Sequence, residues 1–341
     1  ERSEGFTAFT KAFRLLLQSS LLGLGGYLAL QGSITPGMII AASIIAGRAL
    51  APIDQVIGQW RGVARARQAH RSLKTLFAEQ PLDMARTELP EPKGHVTVSD
   101  VTLYAPGQTG QERRPILEEV SFALQPGDAL GVIGPSAVGK SSLARLLVGA
   151  WHPDAGSVRL DGARMSQWSE TQLGKALGYL PQSLELMAGT VRDNIARFDP
   201  DATDEQVVAA AQLAGVHEMI LKLPQGYDTE VEPGQGGPLS GGQIQRIGLA
   251  RAMYGAPALV VLDEPNSNLD AGGDEALAEA ITALRERGAT VVVMAHRPSA
   301  IAAVNKVLVL HEGRVAQFGD KADVLKRATR PVAAAPKEVA G

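Results

Sequence analysis

One run of eight residues, Gly134 to Ser141, constrains the fold of this chain more than any other stretch. It reads G-P-S-A-V-G-K-S, which has the spacing G-x-x-x-x-G-K-[ST]. An apolar run leads into it and a helical pattern leaves it, an order typical of a phosphate-binding loop. The backbone N–H groups of such a loop and the N-terminus of the next helix favour an anion at one point. We therefore predict a nucleotide-binding α/β domain.

The residues of this phosphate loop have distinct candidate roles. Lys140 adds a positive charge for the outer phosphates, and Ser141 offers a hydroxyl to Mg²⁺. A glycine-rich turn without a ligand is the alternative. The residues predicted to bind the nucleotide here are Gly134, Pro135, Ser136, Ala137, Val138, Gly139, Lys140, Ser141 and Ser142.

Length and charge narrow the class of protein. A chain of 341 residues is long enough for about two domains. The net charge of −3 argues against a nucleic-acid partner held by phosphate contacts. The charge is uneven, with +5 in residues 1–80 and −8 in the remainder. There is no cysteine, which excludes disulfides, thiolate metal sites and thiol nucleophiles without identifying the compartment.

Two apolar runs near the start, Leu15–Leu30 and Met38–Ala51, predict a membrane hairpin. As a helix, the first run would span about 24 Å, slightly less than the ~30 Å hydrocarbon core, and flanking residues could complete the span. Pro36 is well placed to open the second helix. We expect membrane helices at about residues 13–31 and 36–58.

Basic residues flank both apolar runs, and positive charge marks the cytoplasmic side of a membrane. Lys11 and Arg14 precede the first run, and five basic residues from Arg61 to Lys74 follow the second. Both ends of the hairpin are therefore expected in the cytoplasm. The helical pattern of the second run continues to about Phe77, beyond the bilayer. A soluble hairpin buried in a core is the alternative.

A proline- and glutamate-rich segment, residues 79–94, predicts a linker, after which short β runs alternate with helical segments. His95–Leu103 and Val120–Leu124 are predicted antiparallel strands. A late hairpin is expected over Lys306–Phe318. We place the nucleotide-binding domain at 95–328 and expect a disordered tail at 329–341. The runs of the buried parallel type are Ala129–Ile133, Leu177–Leu180, Leu259–Leu262 and Val291–Met294.

Polar side chains follow three of these predicted strands, where ligands bind in an open α/β sheet. Asp263 and Glu264 end one strand: Asp263 can hold Mg²⁺, and Glu264 can polarise an attacking water. The amide of Gln182 can reach Mg²⁺ or the water. His296 can donate a hydrogen bond to the terminal phosphate. Ser141, Gln182 and Asp263 are thus the candidate metal ligands, and Glu264, His296 and Gln182 the candidate catalytic residues.

A second helix N-terminus is predicted at Leu239-Ser240-Gly241-Gly242-Gln243. The Ser240 hydroxyl and the N–H groups of Gly241 and Gly242 form another anion site there, and Gln243 continues into the helix. One nucleotide could use both helix ends only if they faced each other.

In their order along the chain these motifs resemble an ATP-binding cassette (ABC) ATPase, in which Asp270 and His296 also have matching positions. The resemblance implies an α/β ABC-type P-loop ATPase domain, with a parallel core sheet, an antiparallel β subdomain and an α-helical subdomain, preceded by an α-helical transmembrane hairpin. It further implies a homodimer formed by the nucleotide-binding domains. In that dimer Ser240 to Gln243, and Asp270, would face the nucleotide of the other copy.

Three stretches, Arg48–Asp54, Gly178–Gln182 and Glu264–Asp270, resemble more specifically the type I secretion exporters of the protease/lipase class. Such exporters have six membrane helices per half, so we expect a C-terminal part of a longer polypeptide. The resemblance implies ATP with Mg²⁺, polypeptide export across a bacterial inner membrane, and a cytoplasmic ATPase domain. The implied partners are a membrane-fusion protein, an outer-membrane channel and membrane lipids, without nucleic acid.

The chain departs from the family at three places. The usual adenine-stacking aromatic lies directly before Pro-Gly, where this chain has Ala105, with Tyr104 one place earlier. Tyr104 would then face the opposite side of a strand unless a bulge turned it, and it is a candidate on that condition. The segment from Glu230 to Pro238 is long and proline-rich, and Ile244 replaces the usual arginine.

Two other functions stay open at this point. One is an ABC exporter of lipids or small molecules with the same ATPase domain. The other is a soluble ABC ATPase that works on DNA or ribosomes, against which the apolar hairpin and its basic flanks count.

Overall fold

The computed structural model describes residues 2–79, 88–105, 114–232, 239–267, 271–295 and 301–328. The chain divides into two compact units, Glu1–Ala85 and Arg86–Gly341. The predicted linker, residues 79–94, lies partly outside the described residues, and the predicted tail, 329–341, lies wholly outside them.

The first unit is a helical hairpin. Helix α1 spans Arg2–Leu30 and helix α2 spans Pro36–Glu79, so α2 is 44 residues long and, at 1.5 Å per residue, about 66 Å in length. A Cβ atom added at Gly25 would lie 3.2 Å from the side chain of Ile39, so the absence of a side chain lets the helices approach closely there. The helical reading of α2 beyond the apolar run is confirmed, and the helix continues through Pro52.

Among the described residues, one helical stretch is long and apolar enough to cross a membrane by length and composition: Ala12–Leu30, with a mean hydropathy of 1.3. In α2 the apolar stretch Pro36–Ala49 is shorter than such a span. Large apolar side chains of α1, such as Leu15 and Leu24, are exposed within the chain. The apolar hairpin is consistent with a transmembrane one, and the exact spans 13–31 and 36–58 stay predictions.

The second unit contains the predicted α/β domain. Its described strands are β1 (Val96–Tyr104), β2 (Pro115–Leu124), β3 (Ala129–Ile133), β4 (Ala155–Leu160), β5 (Ala163–Arg164), β6 (Leu177–Leu180), β7 (Gly189–Thr190), β8 (Glu230–Val231), β9 (Leu259–Asp263), β10 (Thr290–Met294), β11 (Lys306–His311) and β12 (Arg314–Asp320). Its described helices are α3 (Lys140–Leu147), α4 (Glu170–Ala176), α5 (Val191–Ile195), α6 (Asp204–Leu213), α7 (His217–Leu221), α8 (Gly241–Met253), α9 (Ala271–Glu286) and α10 (Lys321–Ala328).

Within the part of the chain that the structure describes, six strands form the central sheet, in the order β12-β11-β3-β10-β9-β6. The five strands from β11 to β6 run parallel, and β12 pairs antiparallel with β11. The four predicted parallel strands and the late hairpin are thereby confirmed. The carboxyl ends of the parallel strands meet at one edge of the sheet, where the phosphate loop begins after β3.

A second sheet has the order β2-β1-β4-β5 and is antiparallel. The predicted pairing of the first two strands is confirmed, although β2 begins at Pro115, five residues earlier than expected. Strands β4 and β5 were not predicted, and neither was the small β7–β8 ladder.

The two faces of the central sheet pack in two separate cores because side chains alternate along a strand. On β9, Val260 and Leu262 pack with the helices α6 to α9, whereas Leu259 and Val261 pack with α3 and the antiparallel sheet. All five residues of β9 are buried. This is why these strands are continuous apolar runs in the sequence.

Candidate nucleotide-binding site

The phosphate loop is compressed between two strands. A Cβ atom at Gly134 would lie 2.5 Å from the Leu310 carbonyl oxygen, and one at Gly139 would lie 2.7 Å from the Leu117 side chain. Gly139 is the N-cap of α3 and has φ 104°, a left-handed conformation that glycine adopts without steric cost. Both glycines of the motif are therefore required by the fold as well as by any ligand.

Lys140 folds back over the loop from the first position of α3. Its side chain is 5% exposed, and Nζ donates hydrogen bonds of 2.9 Å to the carbonyl oxygens of Gly134 and Pro135. Burial lowers the pKa of Lys140, and the nearby carboxylates of Glu264 and Asp263 act in the opposite direction. The ammonium group is thus held over the mouth of the loop.

Asp263 is the last residue of β9 and is 2% exposed. Burial raises the pKa of this carboxyl group, and a hydrogen bond from the Ser141 hydroxyl opposes that shift. Its Oδ1 atom is buried without a hydrogen-bond partner. A buried carboxylate oxygen without a partner is costly, which makes this atom a good ligand for a cation.

Glu264 and Gln182 meet across two adjacent parallel strands. Gln182 Nε2 donates to Glu264 Oε2 over 3.1 Å. Glu264 leaves β9 with φ 53°, which costs a non-glycine residue about 1–3 kcal/mol, and its N–H donates to the Met294 carbonyl at 3.0 Å. The turn after β9 thus brings the Glu264 carboxylate to Gln182.

The pocket at this edge of the sheet brings eight of the predicted residues together. It is lined by Ile116, Ser136, Ala137, Gly139, Lys140, Ser141, Ser142, Gln182 and Glu264. Sequence reasoning did not identify Ile116, which reaches the pocket because β2 lies against the loop at Gly139.

The helix N-terminus predicted at Ser240 is present at the start of α8. Ser240 is the N-cap, and it exchanges hydrogen bonds with Gln243: Gln243 N–H to Ser240 Oγ at 3.3 Å, and Ser240 N–H to Gln243 Oε1 at 2.7 Å. Gly241 and Gly242 form the first turn, which carries no acidic residue. None of these four residues lines the pocket of the phosphate loop in the same chain.

Five further predicted residues that the structure describes are not among those lining this pocket: Gly134, Pro135, Val138, Asp263 and Tyr104. Tyr104 lines a separate depression with Trp151 and His152, and its N–H donates to Asp154 Oδ2 at 2.9 Å. Although β1 and β2 are irregularly paired near Tyr104, that irregularity does not place it among the pocket residues. His296 and Asp270 lie outside the described residues.

The residues present fit a magnesium ion held together with phosphates. Asp263 supplies an unpartnered carboxylate oxygen, and Ser141 and Gln182 supply a hydroxyl and an amide. The described residues contain no group of three His, Asp or Glu side chains able to hold a metal alone. Mg²⁺ usually binds through one or two carboxylates plus substrate phosphates, so such a small donor set suits it.

Comparison with known proteins agrees with this geometry. Residues 117–267 match the family model described as ABC transporter. The chain therefore carries the ATP-binding ATPase domain of an ABC transporter, in its fold and in its order of motifs.

Individual relatives are similar to this chain over most of its length. The type I secretion system ATP-binding protein PrsD of Rhizobium meliloti (strain 1021) is 52% identical over 327 residues, 96% of this chain and 55% of PrsD. The exotoxin translocation ATP-binding protein PaxB of Pasteurella aerogenes is 32% identical over 307 residues, 89% of this chain and 42% of PaxB.

A solved structure of a bacterial Atm1-family ABC exporter with ATP bound has a TM-score of 0.70 and 30% identity, and covers 94% of this chain and 56% of that chain. The chain spans about half the length of the curated relatives it matches.

Proposed function

We propose that this chain hydrolyses ATP at the phosphate loop and that Glu264 is the residue that orients and polarises the attacking water. Lys140 and the loop N–H groups bind the outer phosphates, which spreads the negative charge of phosphoryl transfer over fixed donors. The 3.1 Å hydrogen bond from Gln182 to the Glu264 carboxylate supports this role for Glu264. His296 braces the terminal phosphate. A Mg²⁺ ion bound by Ser141, Gln182 and Asp263 would supply charge neutralisation at the phosphates.

The site is completed by a second copy of the chain. The N-terminus of α8 is capped, carries no acidic residue in its first turn and lies outside the pocket of its own phosphate loop. A helix N-terminus of this kind binds anions. In the homodimer Ser240, Gly241, Gly242 and Gln243 of one copy, with Asp270, contact the nucleotide of the other.

The transported substrate is a polypeptide, exported through a type I secretion system. One observation carries this proposal: the 52% identity to PrsD, a type I secretion system ATP-binding protein, extends over 96% of this chain, hairpin and ATPase domain alike. The hairpin lies in the bacterial inner membrane among its lipids, with the ATPase domain in the cytoplasm. A membrane-fusion protein and an outer-membrane channel complete the path, and no nucleic acid takes part.

Secretion by a deletion strain tests this directly. In the organism that carries the chain, the gene is deleted and restored as the full-length wild type or as Glu264→Gln. We expect RTX-type proteins to disappear from the culture supernatant on deletion, to return with the wild type and to stay absent with Glu264→Gln. Undiminished secretion in the deletion strain would refute the secretion role.

The second candidate is an exporter of lipids or small molecules. The similarity to a bacterial Atm1-family ABC exporter, which covers 94% of this chain at 30% identity, supports it. In that case the deletion strain secretes normally but accumulates a small molecule or lipid that the wild type exports.

A further inference from the structure

The side chain of Gln245 makes several polar contacts beside the candidate site. It lies on α8, five residues after Ser240, and is 7% exposed. Its Nε2 atom donates to the carbonyl oxygens of Glu264 at 3.2 Å and Pro265 at 2.6 Å, and to Ser267 Oγ at 3.2 Å. One buried amide group therefore holds the whole turn that follows β9.

That turn has a backbone that needs support. Glu264 has φ 53°, and the Ser267 N–H closes the turn on the Glu264 carbonyl at 3.2 Å. Left-handed backbone at a glutamate persists only when surrounding contacts determine it. The two carbonyl groups that Gln245 binds belong to Glu264 itself and to the next residue.

Helix α8 also supports the other partner of Glu264. A Cβ atom at Gly248 would lie 2.0 Å from Leu184 and 3.0 Å from Leu180, the residues on either side of the Gln182 segment. The helix therefore packs closely against the segment that carries Gln182. Gln182 in turn donates to Glu264 Oε2.

We propose that Gln245 is a positioning residue, which holds the turn after β9 so that the Glu264 carboxylate faces the attacking water. The inference rests on the proposed role of Glu264 in ATP hydrolysis. Ser240 is the N-cap of α8, and Gln245 lies on that helix. The helix therefore connects Ser240, which is offered to the partner's nucleotide, with Glu264, which acts on the nucleotide of its own chain.

Gln245→Glu is the sharpest test, because it keeps the size of the side chain and removes both N–H donors. In the full-length protein we expect kcat for ATP to fall at least tenfold while KM stays within twofold of the wild type. Gln245→Ala, which removes the amide without adding a charge, should show the same split. The matched control is Gln172→Glu, since Gln172 donates in the same way to the Leu89 carbonyl, at 2.8 Å, away from the site. It should leave both constants unchanged.

A double-mutant cycle separates positioning from general structural damage, because residues that act through one another are not additive. If Gln245 acts through Glu264, Gln245→Glu should reduce single-turnover hydrolysis less than twofold further in a Glu264→Gln background. A kcat within twofold of wild type in both Gln245 variants, or a full additional loss in the Glu264→Gln background, would overturn the inference. A wild-type protein without ATPase activity would instead refute the proposed function.

Discussion

Gly139→Ala tests whether the phosphate loop can accommodate a side chain at Gly139. The substitution adds one methyl group at φ 104°, directed at the Leu117 side chain 2.7 Å away and at the Ile116 carbonyl oxygen 3.0 Å away. Gly162 provides a matched control, because it also has a positive φ, 82°, but a Cβ atom there would meet nothing within 4 Å.

The expected cost follows from two terms. Left-handed backbone at a residue with a Cβ atom costs about 1–2 kcal/mol, and this term applies at both positions. Overpacking a buried site adds about 1–3 kcal/mol, and this term applies at Gly139 alone. The gain from a stiffer unfolded chain is shared and cancels. We therefore expect Gly139→Ala to lower the free energy of unfolding by ~1–3 kcal/mol more than Gly162→Ala does.

Urea unfolding of the detergent-solubilised chain measures the difference. A Trp60→Phe background leaves Trp151 and Trp168, both in the second unit, as the fluorescent reporters. Gly139→Ala should also abolish ATP binding, whereas Gly162→Ala should retain it. Equal destabilisation by the two substitutions, with ATP binding intact in both, would refute the reasoning about the loop.

Two further predictions concern Ile116 in the nucleotide pocket and Asp161, which binds the end of the linker. Ile116→Ala should raise KM for ATP by roughly tenfold, about 1.4 kcal/mol, while Tyr104→Ala should change it less than Ile116→Ala does, because Ile116 lines the pocket and Tyr104 lines another depression. Steady-state ATPase assays measure KM for both variants. A larger rise in KM for Tyr104→Ala than for Ile116→Ala would contradict the placement of Ile116 in the nucleotide pocket. Asp161 accepts hydrogen bonds from the N–H groups of residues 93–95 at 2.7, 3.1 and 3.1 Å, so Asp161→Ala should lower the free energy of unfolding by about 1–2 kcal/mol. An unchanged urea midpoint would show that these hydrogen bonds to Asp161 do not stabilise the domain.

The sequence was most informative where local pattern and fold agree. The strands β3, β9 and β10 were recognisable because both of their faces are buried, which makes them continuous apolar runs. The short ladder of β7 and β8 pairs two residues with two others some forty positions away, and two residues carry no periodic pattern. Pairing of that kind depends on the packed helices around it.

The residues of the candidate site also fall into those that the sequence predicted and those that it did not. The loop, Gln182 and the two acids at the end of β9, Asp263 and Glu264, were found because a motif or a strand end marks them. Ile116 and Gln245 were missed, since Ile116 enters the pocket through the approach of β2 to the loop. Gln245 looks like an ordinary polar helix position until its burial and its three acceptors are seen.

The most direct test of the account is single-turnover ATP hydrolysis by the full-length protein with Glu264 replaced by glutamine, alongside nucleotide binding. The account predicts that Glu264→Gln binds ATP with wild-type affinity and hydrolyses it ~10²–10⁴-fold more slowly, the range for loss of a general base. Near-normal turnover in this variant would contradict the assignment of Glu264, and with it the mechanism proposed for the site.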